Sequence, residues 1–184
     1  MPSPVGHSVA GYLLYRLLKF RLEPDARSRG MALFCVVAAN AADLDFIPGI
    51  FLGNPNAFHR GISHSIGAAL LYGVLAAVFV RMGTSRPALF GVAAGLYLSH
   101  VLLDYFNSDS RPPYGEPLLW PASARYYVSP FTPLLDIRRD ASSGLVVFFT
   151  SLFSVHNLSA ICLELLFLAP IGAALFLMRW RTAQ

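Results

Sequence analysis

The sequence is poor in charged residues. Only 13% of its 184 residues are Asp, Glu, Lys or Arg, whereas 55% are hydrophobic, and a soluble domain carries about 25% charged residues. This composition excludes intrinsic disorder and argues against an ordinary soluble enzyme. The net charge of +4 comes from 14 basic and 10 acidic residues. These are too few for a continuous cationic surface, so no nucleic-acid partner is expected.

Cysteine is also scarce, and several common catalytic motifs are missing. The two cysteines, Cys35 and Cys162, lie in separate apolar runs, with no CxxC pair and no disulfide framework. There is no Walker loop, Rossmann fingerprint or GxSxG elbow. Arg16 and Lys19 interrupt the first apolar run and no basic residue precedes it, which argues against a signal peptide. The search for chemistry therefore turns to histidine and carboxylate side chains.

Six apolar segments of helical length follow one another along the chain. They cover about residues 8–20, 31–42, 64–82, 87–104, 144–155 and 158–178. The sixth has 21 residues and can span a bilayer, which needs about 20. The third and fourth are marginal spans, and the others are too short to cross alone. The stretch 48–56 and the Pro-rich stretch 105–143 are predicted to be loops.

These segments predict one all-α domain over residues 1–184. We expect a polytopic membrane bundle of about five to six helices with a Pro-rich loop. The motifs described below lie within residues 1–140, and residues 144–178 form the C-terminal membrane segments. The sequence leaves open whether the first, second and fifth segments span the bilayer, and it leaves the oligomeric state open as well.

The basic residues divide unevenly between the two ends of these segments. If consecutive segments alternate in direction, one side carries nine of the 14 and the other carries five. The richer side holds Arg16, Lys19, Arg21, Arg27, Arg29, Arg81, Arg86, Arg179 and Arg181. The positive-inside rule places that side, and with it the C-terminus, in the cytoplasm. This orientation requires that the fifth segment does not cross the membrane.

Histidines and aspartates collect at the opposite ends of the first four segments. The set is His7, Asp43, Asp45, His59, His64, His100 and Asp104. Alternating segment directions bring four of the five histidines and three of the ten carboxylates to one pole, away from the basic loops. Uncompensated histidines and carboxylates in apolar helices are costly and usually mark function. The pattern therefore predicts a metal site toward the non-cytoplasmic side.

The residue types indicate the metal. His100 and Asp104 are spaced i,i+4 and lie about 6 Å apart at Cβ on one helix face. Imidazole and carboxylate ligands suit zinc, with manganese and iron as alternatives. The predicted ligands are His7, Asp43, His59, His64, His100 and Asp104. Six ligands exceed the needs of one tetrahedral ion and leave room for a second.

Two further residues have predicted catalytic roles. Asp45 is the candidate general base or a bridging ligand, although the sequence does not decide between Asp43 and Asp45 for the ligand role. Arg60 could bind a phosphate oxygen bidentately, or it could extend to lipid headgroups instead. His156 stands alone between the fifth and sixth segments, and we interpret it as a polar residue at the water interface.

These motifs resemble the YdjM family of bacterial inner-membrane proteins. The family is described as membrane-bound, metal-dependent hydrolases, and some of its members are tied to the LexA damage response. The matching features, which cover about residues 1–140, are His7-Ser8, Asp43-Leu44-Asp45, HRGISHS at 59–65, Ser99-His100 with Asp104, and YGEPLLWP at 114–121. The family is distantly similar to the zinc-dependent phospholipase C and single-strand nuclease superfamily. The resemblance implies hydrolysis of a phosphodiester or a phosphomonoester.

We therefore expect a metal-dependent hydrolase of the bacterial inner membrane. Its substrate would be a small-molecule or lipid phosphoester, attacked by metal-activated water. One alternative is a membrane protein that binds a metal or a partner without turnover. Another is a lipid phosphatase like the phosphatidic-acid phosphatases, which uses a phosphohistidine and needs a Lys and Arg-Pro cluster. Here Lys19 is the only lysine, and Arg86-Pro87 lies on the opposite side.

Overall fold

The computed structural model describes residues 1–19, 29–110 and 112–182. The helices in this part are α1 (Pro4–Leu18), α2 (Arg29–Ala39), α3 (Phe46–Phe51), α4 (Ile66–Phe79), α5 (Arg86–Tyr105), α6 (Leu145–Ser151) and α7 (Val155–Thr182). A 3₁₀ turn over Ala41–Asp45 joins α2 to α3. The described residues contain no β-strand, only two isolated bridges, Asn107–Leu134 and Glu116–Tyr127. The all-α prediction is confirmed, with seven described helices instead of five or six.

Serine residues set the starts of three helices. Ser3, Ser65 and Ser85 each accept a hydrogen bond from the backbone N–H three residues later, at the beginning of α1, α4 and α5. A proline stands in the first turn of α1 and of α5, where its missing N–H costs nothing. Because α4 begins after Ser65, His64 is left just outside the helix.

The prediction of a loop over residues 48–56 was wrong in its first part. Helix α3 covers Phe46–Phe51 and includes Pro48. Proline is tolerated there because it lies in the first helical turn, where the backbone N–H has no acceptor within the helix. The third apolar segment also forms less helix than expected. Helix α4 has only 14 residues because the backbone at Val80 is extended.

Small residues let the inner helices pack closely. A Cβ built at Gly11 of α1 would lie 2.7 Å from the Cβ of Ala39, at the end of α2. A Cβ built at Gly73 of α4 would lie 2.9 Å from the Cβ of Ala94 on α5. Close approach at small residues is the common mode of helix packing in membranes. The core therefore lies between α1, α2, α4 and α5.

Two described helices are long and apolar enough to cross a membrane. They are α5, with 20 residues, and Val155–Met178 of α7, with 24. Helix α2 together with Ala41–Phe51 is a third candidate, a pair bent by 57°. The chain is therefore a membrane protein with two or three candidate spans in its described part, fewer than predicted. Helix α6 has seven residues, about 10 Å, which agrees with the expectation that the fifth segment does not cross.

Helices α1 and α7 run in the same direction. Glu164 of α7 contacts Ser3 at the start of α1, and a Cβ at Gly172 would lie 3.7 Å from Leu13. The end of α7 is therefore distant from the pole where α1 begins. Of the basic residues used for the orientation, Arg21, Arg27 and Arg111 lie outside the described residues, as do the side chains of Arg179 and Arg181. The orientation across the membrane stays a prediction.

Candidate metal centre

All six predicted metal ligands meet at one end of the bundle. They come from the first turns of α1, the 3₁₀ turn after α2, the loop before α4 and the last turns of α5. In three overlapping trios, one ligand atom from each residue lies within 4.8 Å of the others. The trios are His7–Asp43–His100, Asp43–His59–His64 and His64–His100–Asp104. We call these six residues the metal cluster.

Two aspartates connect the histidines of the metal cluster. Asp104 Oδ1 lies 3.2 Å from His7 Nε2, and Asp104 Oδ2 lies 3.2 Å from His64 Nε2. Asp43 Oδ1 lies 3.5 Å from His100 Nε2 and 3.8 Å from His64 Nε2. Two of these four separations are longer than an ordinary hydrogen bond, and together the four bring several ligand atoms around a common space. Because Asp43, His64 and His100 belong to two trios each, the cluster could hold two ions with shared ligands.

Many polar atoms of the metal cluster lack hydrogen-bond partners among the described residues. His7, His64 and His100 are 0% exposed. Their Nε2 atoms, and both carboxylate oxygens of Asp43 and Asp104, make no hydrogen bond with the described residues. A buried carboxylate without a hydrogen bond is costly, and a metal cation would offset this cost. The donor set therefore fits a divalent metal.

Outer hydrogen bonds orient three of the histidines. His100 Nδ1 lies 2.8 Å from the carbonyl oxygen of Ala39, so this nitrogen must donate. His59 Nδ1 lies 3.0 Å from Asp45 Oδ1, and His64 Nδ1 lies 3.0 Å from Ser63 Oγ. With the proton on Nδ1, each Nε2 keeps its lone pair for a metal. Such outer hydrogen bonds are the usual support of metal-binding histidines.

Asp45 lies outside the three trios. Its Oδ2 accepts a hydrogen bond from Ser63 Oγ at 2.6 Å and lies 3.3 Å from His64 Nδ1. Its Oδ1 faces His59. The structure therefore places Asp43 among the ligand candidates and Asp45 behind the histidines, where it orients them. The role of Asp45 as general base stays a prediction.

Arg60 is buried next to the metal cluster and forms an ion pair. Its Nη1 lies 2.5 Å from Asp109 Oδ1, and its backbone φ of 62° is rare for a residue other than glycine. Arg60 is 6% exposed, so it does not extend to lipid headgroups. Burial alone would lower the pKa of the guanidinium, but the charges of Asp104 and Asp109 raise it. Arg60 is therefore a fixed cation beside the cluster.

Glu116 belongs to this site, although it was not among the predicted site residues. It is 1% exposed, and neither carboxylate oxygen has a hydrogen-bond partner among the described residues. It lines a small cavity together with Arg60 and Asp104. Burial, and then the charge of Asp104, raise the pKa of Glu116 to about 8. The only indication of Glu116 in the sequence was its position within the YGEPLLWP stretch, which resembles the family.

Glu164 supports the metal cluster from α7 and was also missed. One carboxylate oxygen accepts the Ser3 backbone N–H at 2.7 Å, and the other accepts Ser3 Oγ at 2.5 Å. A Cβ at Gly6 would lie only 2.4 Å from this carboxylate. Glu164 thus fixes the start of α1, immediately before His7. A single carboxylate inside a 21-residue apolar segment was the signal in the sequence.

The fifth histidine is not part of the metal cluster. His156 Nε2 lies 2.9 Å from the carbonyl oxygen of Asp136, and no trio includes His156. This placement agrees with its interpretation as a residue outside the site. His156 is therefore a suitable control in experiments on the cluster.

Two cavities lie on the His59 side of the metal cluster. One, of about 440 Å³, is lined by residues that include Asp45, His59 and Ser63. The other, of about 60 Å³, is lined by residues that include His59, Arg60 and Arg139. Burial lowers the pKa of His59 to about 4, which keeps its ring neutral at pH 7. His7 and His100 are fully enclosed. Cavities reach the cluster at His59 and, beside Glu116, at Asp104.

The fold and the site define a helical membrane protein with a buried histidine–aspartate cluster. The chain belongs to the YdjM family, since the family model described as YdjM inner membrane protein matches residues 1–182. This match confirms the predicted family and extends the similarity from residues 1–140 through the C-terminal helices. Comparison with curated proteins and with solved structures gives no match.

Proposed function

We propose that this YdjM-family protein is a divalent-metal-dependent hydrolase of the bacterial inner membrane that acts on phosphoesters. The observation that carries this proposal is the cluster of six ligand residues whose buried Nε2 and carboxylate atoms make no hydrogen bond with the described residues. Zinc fits an imidazole and carboxylate donor set best, with manganese and iron as alternatives. A bound metal ion supplies a water whose pKa is lowered toward about 7.

The residues around the cluster have separate roles in this proposal. The histidine rings donate hydrogen bonds to the Ala39 carbonyl oxygen, the Asp45 carboxylate and the Ser63 hydroxyl oxygen, and these bonds hold the rings in orientation. Asp45 also lines the larger cavity, where it could accept a proton from the attacking water. A phosphoester is favoured because two arginines, Arg60 and Arg139, are among the residues that line the cavity next to His59. Asp109 also lines this cavity and pairs with Arg60 through one guanidinium nitrogen, Nη1. Guanidinium groups bind phosphate oxygens in a bidentate manner.

A metal-binding protein without turnover is the second candidate. The complete burial of His7, His64 and His100 favours it, since structural metal sites are closed and catalytic sites keep an open position. A lipid phosphatase that forms a phosphohistidine has less support. Arg86 begins α5 and Asp104 lies near its end, about 27 Å apart along the helix axis.

Metal analysis and turnover together test the proposal. Detergent-purified protein should contain one or two equivalents of a divalent metal, and it should hydrolyse at least one member of a panel of phosphomonoesters and phosphodiesters. Chelation should abolish this activity, and restoring the metal should recover it. Bound metal without turnover of any panel member would favour the second candidate. Protein that neither contains nor binds a divalent metal would refute both.

A further inference from the structure

An apolar groove runs between α1, α5 and α7. Its volume is about 230 Å³. The residues that line most of its length are Leu13, Leu17, Leu102, Phe106, Leu168 and Ile171. Ser99 also lines it, but its hydroxyl donates to the Leu96 carbonyl oxygen at 2.6 Å. The groove therefore offers a ligand hydrocarbon contacts and no free hydroxyl donor.

The groove opens toward the membrane. Two of its three helices, α5 and α7, are long and apolar enough to be candidate membrane spans. Leu102 is 46% exposed and Ile171 is 43% exposed, so side chains on both helices line the groove and also face outward. The medium around such helices is the hydrocarbon of the bilayer. An alkyl chain can enter the groove from that side without passing through water.

Each helix of the groove also carries a residue at or next to the metal cluster. His7 lies three residues before Ala10, which lines the groove, and Asp104 directly follows Leu103, which also lines it. On α7, Glu164 lies four residues before Leu168. From Ala10 the groove continues along α1 to Leu17, about 10 Å farther from the cluster. The groove thus begins at the level of the metal cluster and extends into the membrane-spanning part.

We propose that this groove binds one alkyl chain of a phosphoester lipid whose phosphate lies at the metal cluster. The inference rests on the proposed function and names its substrate class. A cavity of about 150 Å³ lined by aliphatic side chains binds benzene, so a groove of about 230 Å³ corresponds to roughly nine carbons. The remainder of a longer chain would stay in the bilayer.

Photolabelling tests the groove without requiring turnover. The probes are dodecyl phosphate with a diazirine near the middle of the chain, and dodecanol with the same diazirine. Both are added to metal-loaded protein in nanodiscs, and the labelled peptides are mapped by mass spectrometry. The phosphate probe should label α1 around Leu13–Leu17 and α7 around Ile171 at least several-fold more than the alcohol probe does. Excess inorganic phosphate should reduce this difference.

Two tryptophan variants and one control separate the groove from general lipid contact. Leu102→Trp and Ile171→Trp fill the groove from α5 and from α7, and each should reduce the groove labelling at least several-fold. Leu166→Trp also adds a ring to α7, but Leu166 is 69% exposed and does not line the groove. It should label like the wild type. Two groove variants are used so that a folding defect in one does not decide the result.

The outcomes distinguish the groove from the hydrolase activity. Equal labelling by both probes, or equal loss in Leu166→Trp and Ile171→Trp, would mean general lipid contact only and would overturn the groove proposal. Selective groove labelling in a protein that hydrolyses no phosphoester would support lipid phosphate binding while refuting hydrolysis. Hydrolysis of a soluble phosphoester without groove labelling would support the hydrolase function and refute the groove proposal.

Discussion

The histidine and aspartate side chains of the metal cluster are expensive to bury without a cation. Five of the six ligand candidates are less than 9% exposed, and the same six residues account for most of the buried polar atoms that lack hydrogen bonds in the described chain. Transfer of such groups from water costs several kcal/mol when nothing compensates for it. Metal binding is therefore expected to be linked to folding stability at this site.

Loss of one central ligand should remove the metal. His64 and His100 each belong to two trios, so His64→Ala or His100→Ala leaves an incomplete coordination shell beside buried carboxylates. We expect bound metal to fall to less than a tenth of the wild-type amount and activity to be lost with it. Elemental analysis of purified protein measures the metal. His156→Ala is the control and should keep both, whereas unchanged stoichiometry in all three variants would refute the cluster.

Substitution of Arg60 tests phosphate recognition. Arg60→Lys keeps the positive charge, and lysine must adopt the same backbone φ of 62° as arginine does. Lysine lacks the planar guanidinium that can donate two parallel hydrogen bonds to a phosphate. We expect metal content to be retained and the rate on a hydrolysed phosphoester to fall about 100-fold, or roughly 3 kcal/mol, as for loss of one transition-state donor. Arg125→Lys, at an exposed loop position, should keep the wild-type rate. Wild-type rates from both Arg60→Lys and Arg60→Ala would refute the proposed role of Arg60 in phosphate recognition.

At the scale of secondary-structure elements, the Pro-rich loop docks onto the start of α4. The backbone N–H groups of Ile66 and Gly67 donate to the carbonyl oxygens of Leu118 and Trp120, at 2.9 and 3.1 Å. These bonds satisfy donors that a helix start leaves without partners. The same loop carries Glu116 and, farther along, Arg139. The loop therefore connects α4, with His64 before its start, to the cavity-lining residues.

A methyl group at Gly67 should disturb this docking. Its Cβ would lie 2.4 Å from the Trp120 carbonyl oxygen, which is fixed backbone. We expect Gly67→Ala to destabilise the protein by about 1–3 kcal/mol, a typical cost of overpacking. The unfolding temperature should fall by roughly 2–12 °C, measured by thermal unfolding in detergent.

The matched control for Gly67→Ala is Gly91→Ala. A Cβ at Gly91 of α5 would meet nothing within 4 Å. Because alanine favours a helix over glycine by about 1 kcal/mol, this variant should be as stable as the wild type or slightly more stable. Equal stability of the two variants would contradict the docking of the loop onto α4.

At the scale of the whole molecule, helix direction separates the basic residues from the metal cluster. Helices α1 and α7 run in parallel away from the cluster, and α5 runs toward it. The start of α5 at Arg86 and the end of α7 therefore lie away from the cluster. This arrangement agrees with the alternation that the sequence analysis used. The positive-inside rule then predicts a cytoplasmic C-terminus and a metal cluster near the outer surface.

Reporter fusions test this orientation. A reporter after Gln184 should be active as a cytoplasmic protein, and a reporter inserted near residue 110, on the loop after α5, should be active outside the cytoplasm. The physical reason is the excess of basic residues, nine against five, on the side of the C-terminus. The opposite pattern would reverse the predicted orientation and place the cluster on the cytoplasmic side.

Much of the metal cluster could be predicted from the sequence because its information is local. His100 and Asp104 share a helix face through their i,i+4 spacing, and serine caps with apolar runs fix the helix starts. Alternation of short-looped helices then brings the segment ends together. The sequence alone was less informative about helix length. Helix α4 ends at Phe79 although apolar residues continue after it.

The residues that complete the site could be identified from the packing of the helices and loops, and not from the local sequence pattern. Asp43 and Asp45 are two residues apart, and the 3₁₀ turn directs one into the cluster and the other behind His59. Glu116 follows Asp104 by 12 residues across a Pro-containing loop, and Glu164 lies 161 residues after Ser3, so no helical spacing rule could place them beside these residues. The motif residues were enough to suggest the family, which the family model confirms. Residue type, spacing and periodicity were enough to predict the helical class and the six ligand candidates. The positions of the Asp43, Asp45, Glu116 and Glu164 carboxylates depend on contacts between distant segments. These contacts form only when the whole chain packs.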